Sequence, residues 1–309
     1  MKVGYKSDIG KRRNLDEDSI AIVQSCTIYE SKSAQATLLV VADGMGGHNA
    51  GERASFLATR RAAKEITEVM FEKHWDDLSP ENIKNAIREA IQCANDDIFN
   101  RVQDDPQCQG MGTTVTLALI LQPTGSTTYP VYIGHVGDSR AYIVGEEKIK
   151  QITKDHSLVQ QLLDNNEISQ EEAWNHPQKN IITRAVGVHE KVNVDTFEVY
   201  LFGDDFLLLC CDGVTDLLKD DEIHRTVVEI RDPQKICDTL VDEALSKGGS
   251  DNISVIVAQF YELEKKSKLK TEKTQKKSNI TEKDEITVPM FDLDRNQSTQ
   301  EESQTSNKV

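Results

Sequence analysis

Three apolar runs in this chain each stop at an acidic residue beside a glycine. Residues 38–42 run into Asp43-Gly44, residues 131–136 into Gly137-Asp138, and residues 206–211 into Asp212-Gly213. A fourth acid, Asp251, follows Gly248-Gly249-Ser250 and precedes the apolar stretch 253–257. Carboxylates gathered at the ends of buried strands repel one another unless something cancels their charge. A hard divalent cation does so with oxygen ligands alone. These residue types therefore point to a metal site.

The segment 10–18 places Arg13 four residues before the pair Glu17-Asp18. Alone, it reads as a charged turn capped by acids. It also reads as an anion grip, with the Arg13 fork matched to phosphate and with Glu17 and Asp18 holding a metal or its water. The combination of acids and arginine can build a two-metal centre with an anion clamp. Such a centre activates water and neutralises the oxygens of an in-line displacement at phosphorus. No cysteine has an arginine six residues later, which disfavours a cysteine-nucleophile phosphatase. Neither a GxSxG elbow nor a Walker A sequence occurs.

These residues need elements to hold them. Strands are expected at 19–23, 38–42, 113–121, 131–136, 140–144, 148–152, 192–200, 206–211 and 253–260, with a polar hairpin excursion over 25–36. Apolar residues at helical spacing predict a helix from near Gly51 to Phe71 and a second from Pro80 to about Val102. Short helices are expected at 157–163 and 169–174, and longer ones at 215–230 and 233–245. Helices segregate from runs of strands, and neighbouring strands have short connections. That is an α+β pattern with antiparallel sheets.

The net charge of the 309 residues is −16, which argues against a nucleic-acid binder. No run reaches the roughly 18 apolar residues of a membrane span. No secretory signal is expected at the N-terminus. The six cysteines lack CxxC spacing, and Cys93, Cys210 and Cys211 read as reduced core residues, which fits a cytoplasmic protein. After residue 260 the composition changes. Residues 262–283 hold eight Lys and four Glu, and residues 284–309 hold six acids and two bases. The tail 261–309 is expected to be disordered and charged, with one apolar island at 286–291.

An ordered series of motifs carries a resemblance. It comprises Asp43-Gly44-Met45-Gly46-Gly47-His48, Gly112-Thr113-Thr114, Gly137-Asp138-Ser139-Arg140 and Asp155-His156-Ser157. It continues with Thr183-Arg184-Ala185-Val186-Gly187, Cys211-Asp212-Gly213 and Ser250-Asp251-Asn252. The series resembles the metal-dependent type 2C serine/threonine protein phosphatases in their compact bacterial form, over about residues 1–260. The resemblance implies a four-layer αββα sandwich: two antiparallel sheets flanked by helices, with a dimetal site at one edge.

It also implies roles. Asp43 would bridge two Mn or Mg ions, Asp212 and Asp251 would complete one ion, and Glu17 and the Gly44 carbonyl would reach the other. Asp138 would join Asp212 at a third, weaker ion. Arg13 would bind the substrate phosphate, and Asp18 would orient waters or Arg13. The stretch 155–187 matches a flap beside the site; Ser157 could assist the third ion, and His156 reads as structural. Two departures stand out. Met45 occupies the position where many eukaryotic relatives have a histidine taken as the general acid; His48 could substitute, or be a loop histidine without a task. Asp16 stands where relatives often have Asn, a change expected to alter only local hydrogen bonding.

The implied activity is hydrolysis of phosphoserine and phosphothreonine in proteins by a metal-activated water, without a covalent phosphoenzyme. The implied setting is a cytoplasmic monomer opposing a bacterial-type Ser/Thr kinase. Other readings are the same fold acting on a stress-signalling regulator, a phosphoprotein-binding pseudophosphatase, and a nucleotide-binding module. Against the last, Asp43 would repel phosphates and the spacing is not GxGxxG.

Overall fold

The computed structural model describes residues 1–29, 32–46, 50–72, 78–122, 126 and 128–260. His48 and the tail 261–309 with its apolar island lie outside the described residues. Every residue described below belongs to the unit Met1–Leu263.

The strand that ends in Asp43 is central. β3 (Lys32–Met45) alternates its side chains between two cores. Leu38, Val40 and Ala42 pack towards helices, while Leu39 and Val41 pack towards a second sheet. This two-faced burial explains why the stretch reads as a continuous apolar run. β2 (Asp18–Tyr29), β5 (Val115–Gln122), β6 (Thr128–Val136) and β9 (Asp195–Phe202) complete an antiparallel sheet in the order β2-β3-β5-β6-β9. The short β4 (Gly112–Thr113) pairs with the end of β3.

The second sheet has the order β1-β11-β10-β7-β8. Its strands are β1 (Lys2–Asp8), β7 (Arg140–Val144), β8 (Ile149–Gln151), β10 (Phe206–Cys210) and β11 (Ile253–Gln259). Leu207 and Leu209 of β10 and Ile256 of β11 meet Leu39, Ile120 and Val131 of the first sheet in the central core.

Helices close both outer faces. α1 (Gly51–Glu72) and α2 (Pro80–Asp104) cover the first sheet through Ala54, Ala58, Ile66, Ile87 and Ile91. Ser79 caps α2 by accepting from Asn82 N–H, and Pro80 fills its first turn. α3 (Leu158–Asp164) and α4 (Gln170–Trp174) fall between β8 and β9. The single turn α5 (Asp212–Thr215) follows β10. α6 (Asp220–Ile230) and α7 (Pro233–Ser246) cover the second sheet through Ile223, Val227, Ile236 and Leu240. The four-layer αββα sandwich expected from the sequence is the observed architecture.

Three details depart from the expectations. β1 had no counterpart, because it is an edge strand in which Lys2, Tyr5 and Ser7 are exposed and only Gly4 is buried, so it forms no apolar run. The hairpin expected over 25–36 is present, but strands β2 and β3 run on through it beyond the expected 19–23 and 38–42, pairing from Ser25 opposite Ala36 to Tyr29 opposite Lys32. Cys26, Thr27 and Ile28 are exposed there, so backbone pairing outlasts burial and leaves no hydropathy signal. The helix expected over 215–230 is divided, with a turn between α5 and α6. Asp212 thereby opens a helical turn of its own.

Candidate functional site

Register brings the first acids together. Asp18 lies directly opposite Asp43 in the β2–β3 ladder. Side chains of opposed residues share a face of the sheet. Thr114 and Thr113 fix the Asp43 backbone. Asp43 N–H donates to Thr114 Oγ1 at 2.9 Å, and Thr114 N–H and Thr113 Oγ1 each donate to the Asp43 carbonyl at 2.8 Å.

The next residue must be glycine. Gly44 N–H donates to the Glu17 carbonyl at 3.0 Å, and a Cβ on Gly44 would collide with the backbone of Glu17 and Gly51. Gly51, at the start of α1, is equally confined. A Cβ there would strike Glu17 Oε1 and lie 3.0 Å from the Gly44 carbonyl oxygen. Two oxygen donors therefore converge on the space that Gly51 leaves open.

Asn252 ties the N-terminal loop to the start of β11. Its Oδ1 accepts from Glu17 N–H at 2.8 Å, and its Nδ2 donates to the carbonyls of Ile9 and Leu15 at 2.9 and 3.0 Å. Its backbone N–H donates to Asp251 Oδ1 at 2.9 Å, which sets the Asp251 carboxylate. The Asn252 carbonyl also packs so closely on Gly213 that no Cβ fits. One asparagine thus aligns the segments carrying Glu17, Asp251 and Asp212.

Arg13 stands at the rim of this cluster. Its guanidinium reaches Asp251 Oδ2 at 2.8 Å and Glu17 Oε2 at 3.6 Å. Asp18 does not orient Arg13. It is instead grouped with Asp43 and Cys211, whose donor atoms lie within 4.8 Å of one another. Asp16 accepts from Asp18 N–H at 3.1 Å and from Ser7 Oγ at 2.7 Å, a local bonding role only.

The electrostatics are those of buried carboxylates crowded together. Burial first, then Asp212, Asp18 and Asp138, push the Asp43 carboxyl well above the usual range. Burial, then Asp212 and Asp155, raise Asp138, while Arg140 opposes. Burial raises Asp18 to about 7; Cys211 and Ser254 pull it down, and Asp16 and Asp212 push it up. Asp212 rises to about 7 through burial, then Asp216 and Asp251. Glu17 is raised by burial and by Glu52 and Asp251, against the pull of Arg13.

These residues fit hard divalent cations. Both Asp18 carboxylate oxygens and Asp212 Oδ1 are buried without a hydrogen-bond partner among the described residues; the Cys211 thiol and Ser254 hydroxyl near Asp18 donate to the Asn252 carbonyl and to Ser7 Oγ. Burying unpaired carboxylates is costly unless a cation compensates them. The donors are oxygens from carboxylates and one carbonyl, the set that Mg and Mn take. The Cys211 thiol is held protonated by burial and by Asp18 and Asp43.

Asp138 and Asp212 open into a cavity of about 750 Å³ that also meets Asp216, Ser157, Lys179 and Trp174. Ser157 spends its hydroxyl capping α3, where it accepts from Gln160 N–H. Arg140 is occupied as well, bound to Asp155 from both Nε and Nη2 at 2.7–3.0 Å, so it is not a free anion grip. His156 is 8% exposed, does not line the cavity, and bonds Gly137.

Sequence reasoning missed three contributors. Asp216 lies four residues after Asp212, one helical turn on, and lines the cavity beside it; that spacing was a usable signal. Asn252 was quoted only as part of a motif, since a clamp between distant segments has no local signature. Glu52 raises Glu17 from the first turn of α1, a proximity visible only after folding.

A family model described as protein phosphatase 2C matches residues 18–246. The serine/threonine phosphatase stp of Listeria monocytogenes is 38% identical over 262 residues, spanning 84% of this chain and 96% of that protein. The crystal structure of the serine/threonine phosphatase Stp1 from Staphylococcus aureus is similar with a TM-score of 0.70 at 34% identity, covering 84% of this chain and 94% of that one. The catalytic domain of the phosphatase PstP, solved in complex with two manganese ions, is similar with a TM-score of 0.66 at 32% identity, covering 84% and 97%.

Proposed function

The chain belongs to the protein phosphatase 2C family, and from that premise we propose that it is a metal-dependent enzyme hydrolysing phosphoserine and phosphothreonine in proteins. The observation that carries this reading is the group of buried carboxylates with unpartnered oxygens, Asp18 and Asp212 around Asp43, beside the guanidinium of Arg13.

When bound, two divalent cations supply Lewis acidity, lowering the pKa of water and offsetting charge on the phosphoryl oxygens. Asp43 is proposed to serve both ions, with Asp212 and Asp251 on one and Glu17 and the Gly44 carbonyl towards the other. Asp138 is proposed to share a third ion with Asp212, and Asp216 lies beside them. Arg13 holds a phosphoryl oxygen pair with its planar fork. To do so it would exchange the contacts of Nη1 with Glu17 and of Nη2 with Asp251, which hold the half-exposed fork at the rim of the carboxylates. Asp18 is proposed to hold water behind Asp43, since its buried oxygens have no hydrogen-bond partner among the described residues.

The leaving group needs a proton, and Met45 cannot give one. His48 is proposed as the donor. On that proposal His48→Ala slows a phosphothreonine peptide, whose alkoxide is a poor leaving group, and spares p-nitrophenyl phosphate, whose phenolate needs no acid.

Residues 1–260 are proposed to be the catalytic unit, since all the site residues fall within them and Phe260 closes the central core against the Tyr129 ring at 4.8 Å. The same containment supports action as a monomer. A net charge of −16 favours protein over nucleic-acid partners. No described helix is long and apolar enough to cross a membrane. We place the enzyme in the cytoplasm, reversing a Ser/Thr kinase.

The test is hydrolysis of p-nitrophenyl phosphate and a phosphothreonine peptide with manganese and then with EDTA, by the full chain and by a chain ending at Phe260. Activity in manganese that EDTA abolishes is expected for both chains. Activity that survives EDTA would overturn the metal mechanism, and loss in the shorter chain would overturn the boundary.

A further inference from the structure

The loop that carries Asp138 is held from behind by one histidine. Gly137 follows β6 with φ of +113°, a conformation open to glycine alone, and a Cβ there would lie 2.5 Å from Thr114 Cγ2. A glycine in that state has no side chain with which to fix itself, so external contacts must select its conformation. His156 supplies them on both backbone groups. Gly137 N–H donates to His156 Nδ1 at 3.0 Å, and His156 N–H donates to the Gly137 carbonyl at 2.7 Å.

The far side of His156 is anchored too. Its Nε2 lies 3.2 Å from Asp195 Oδ2, and Arg184 Nη1 donates to Asp195 Oδ1 at 2.7 Å. Thr183 N–H donates to the His156 carbonyl at 2.7 Å. A backbone amide can only donate, so Nδ1 must be the acceptor. The ring proton therefore sits on Nε2, towards Asp195, and Arg184 Nη1, 2.9 Å from that nitrogen, gives its hydrogens to Asp195 Oδ1 and the Asn193 carbonyl instead. Burial lowers the His156 pKa and keeps the ring neutral.

We propose that His156 is a positioning residue for Asp138: its Nδ1 fixes the Gly137 amide and thereby the direction of the neighbouring carboxylate. This rests on the reading of Asp138 as a cation ligand. Only one ring nitrogen performs the task, which separates positioning from simple packing. Groups placed behind a metal ligand commonly set affinity by about 10–100-fold.

The two amide residues isolate the two nitrogens. His156→Asn puts an amide oxygen near the Nδ1 position and keeps an acceptor for Gly137 while losing Asp195. His156→Gln reaches the Nε2 position, keeps Asp195 and leaves Gly137 N–H without its acceptor. Manganese binding to the full chain is measured by electron paramagnetic resonance, with melting temperatures recorded alongside. The expected result is that His156→Gln weakens the weakest manganese site by about tenfold or more, while His156→Asn stays within about threefold of the parent. Asp138→Asn is expected to remove that same site. Equal weakening by Asn and Gln, or no weakening by Gln, overturns the positioning role while Asp138→Asn still loses its ion. If Asp138→Asn retains every ion, the reading of Asp138 falls and the proposal falls with it. Should His156→Gln fail to fold, His156→Asn decides: manganese binding kept supports the role, and a tenfold loss overturns it.

Discussion

Asp212→Asn is expected to lower manganese-dependent turnover of p-nitrophenyl phosphate at least about a hundredfold. The substitution preserves shape and removes charge. Asp212 opens α5, where its backbone is tightly set: Gly213 leaves no room against the Asn252 carbonyl. Its Oδ1 is buried with no hydrogen-bond partner among the described residues. An amide in that place is a poor ligand for a hard cation, which prefers anionic oxygen. The fold should not suffer, because Asp212 is surrounded by Asp43, Asp216 and Asp251 and adds repulsion to that group. Melting in EDTA is therefore expected to stay level or rise. Turnover unchanged in Asp212→Asn would remove this residue from the metal centre, whereas a collapsed melting temperature would show that its role is structural.

The second large effect is a pH dependence of stability that manganese removes. Asp18 and Asp212 are raised to about 7 from the usual carboxylate value. Between about pH 4 and 7 the folded protein in EDTA then binds more protons than the unfolded chain. Stability must fall as pH rises through that window, by on the order of 1 kcal/mol per pH unit for each group. For a domain of this size, melting in EDTA should drop by on the order of 10 °C between pH 5 and pH 8. Buried His135 works in the opposite sense. Burial, then His156, lower it to about 3, so its contribution is lost as pH falls from 6.5 towards 3. The readout is therefore the difference between the EDTA and manganese curves, in which His135 cancels. Cations on the carboxylates should flatten the acid term, and parallel curves would contradict the coupling of this cluster to metal.

The stability and activity expectations share one cause. Like charges held together in a dry site are unfavourable for the fold and useful for holding cations. Cys211, behind Asp18 and Asp43, and Asn252, beneath Glu17 and Asp251, keep those acids from relaxing apart.

Much of this was legible in the chain itself. Residues 38–42 and 206–210 are buried on both faces, and that makes them continuous apolar runs ending at Asp43 and Asp212. The helical faces of α1 and α2 were readable for the same reason, since their buried residues recur at helical spacing. Where burial does not accompany structure, the signal vanished. β1 is an edge strand, the tip of the β2–β3 hairpin is exposed, and α6 starts afresh after α5 at Lys219, whose N–H donates to Glu222 Oε2.

The sequence by itself determined the acids beside the strands, Asp43, Asp138, Asp212 and Asp251, and the elements they flank, because strand periodicity and glycine punctuation are local properties. Only the tertiary structure decided how those acids are shared. Strand register set Asp18 against Asp43 and not against Arg13. Sheet order brought the Asp251 segment, near the end of the described chain, onto the loop of Arg13 and Glu17. His156, which the sequence reading set aside as structural, came to hold Gly137 through a contact between residues 19 apart. Contacts of that kind arise from long-range pairing, and no local pattern of residue types encodes them.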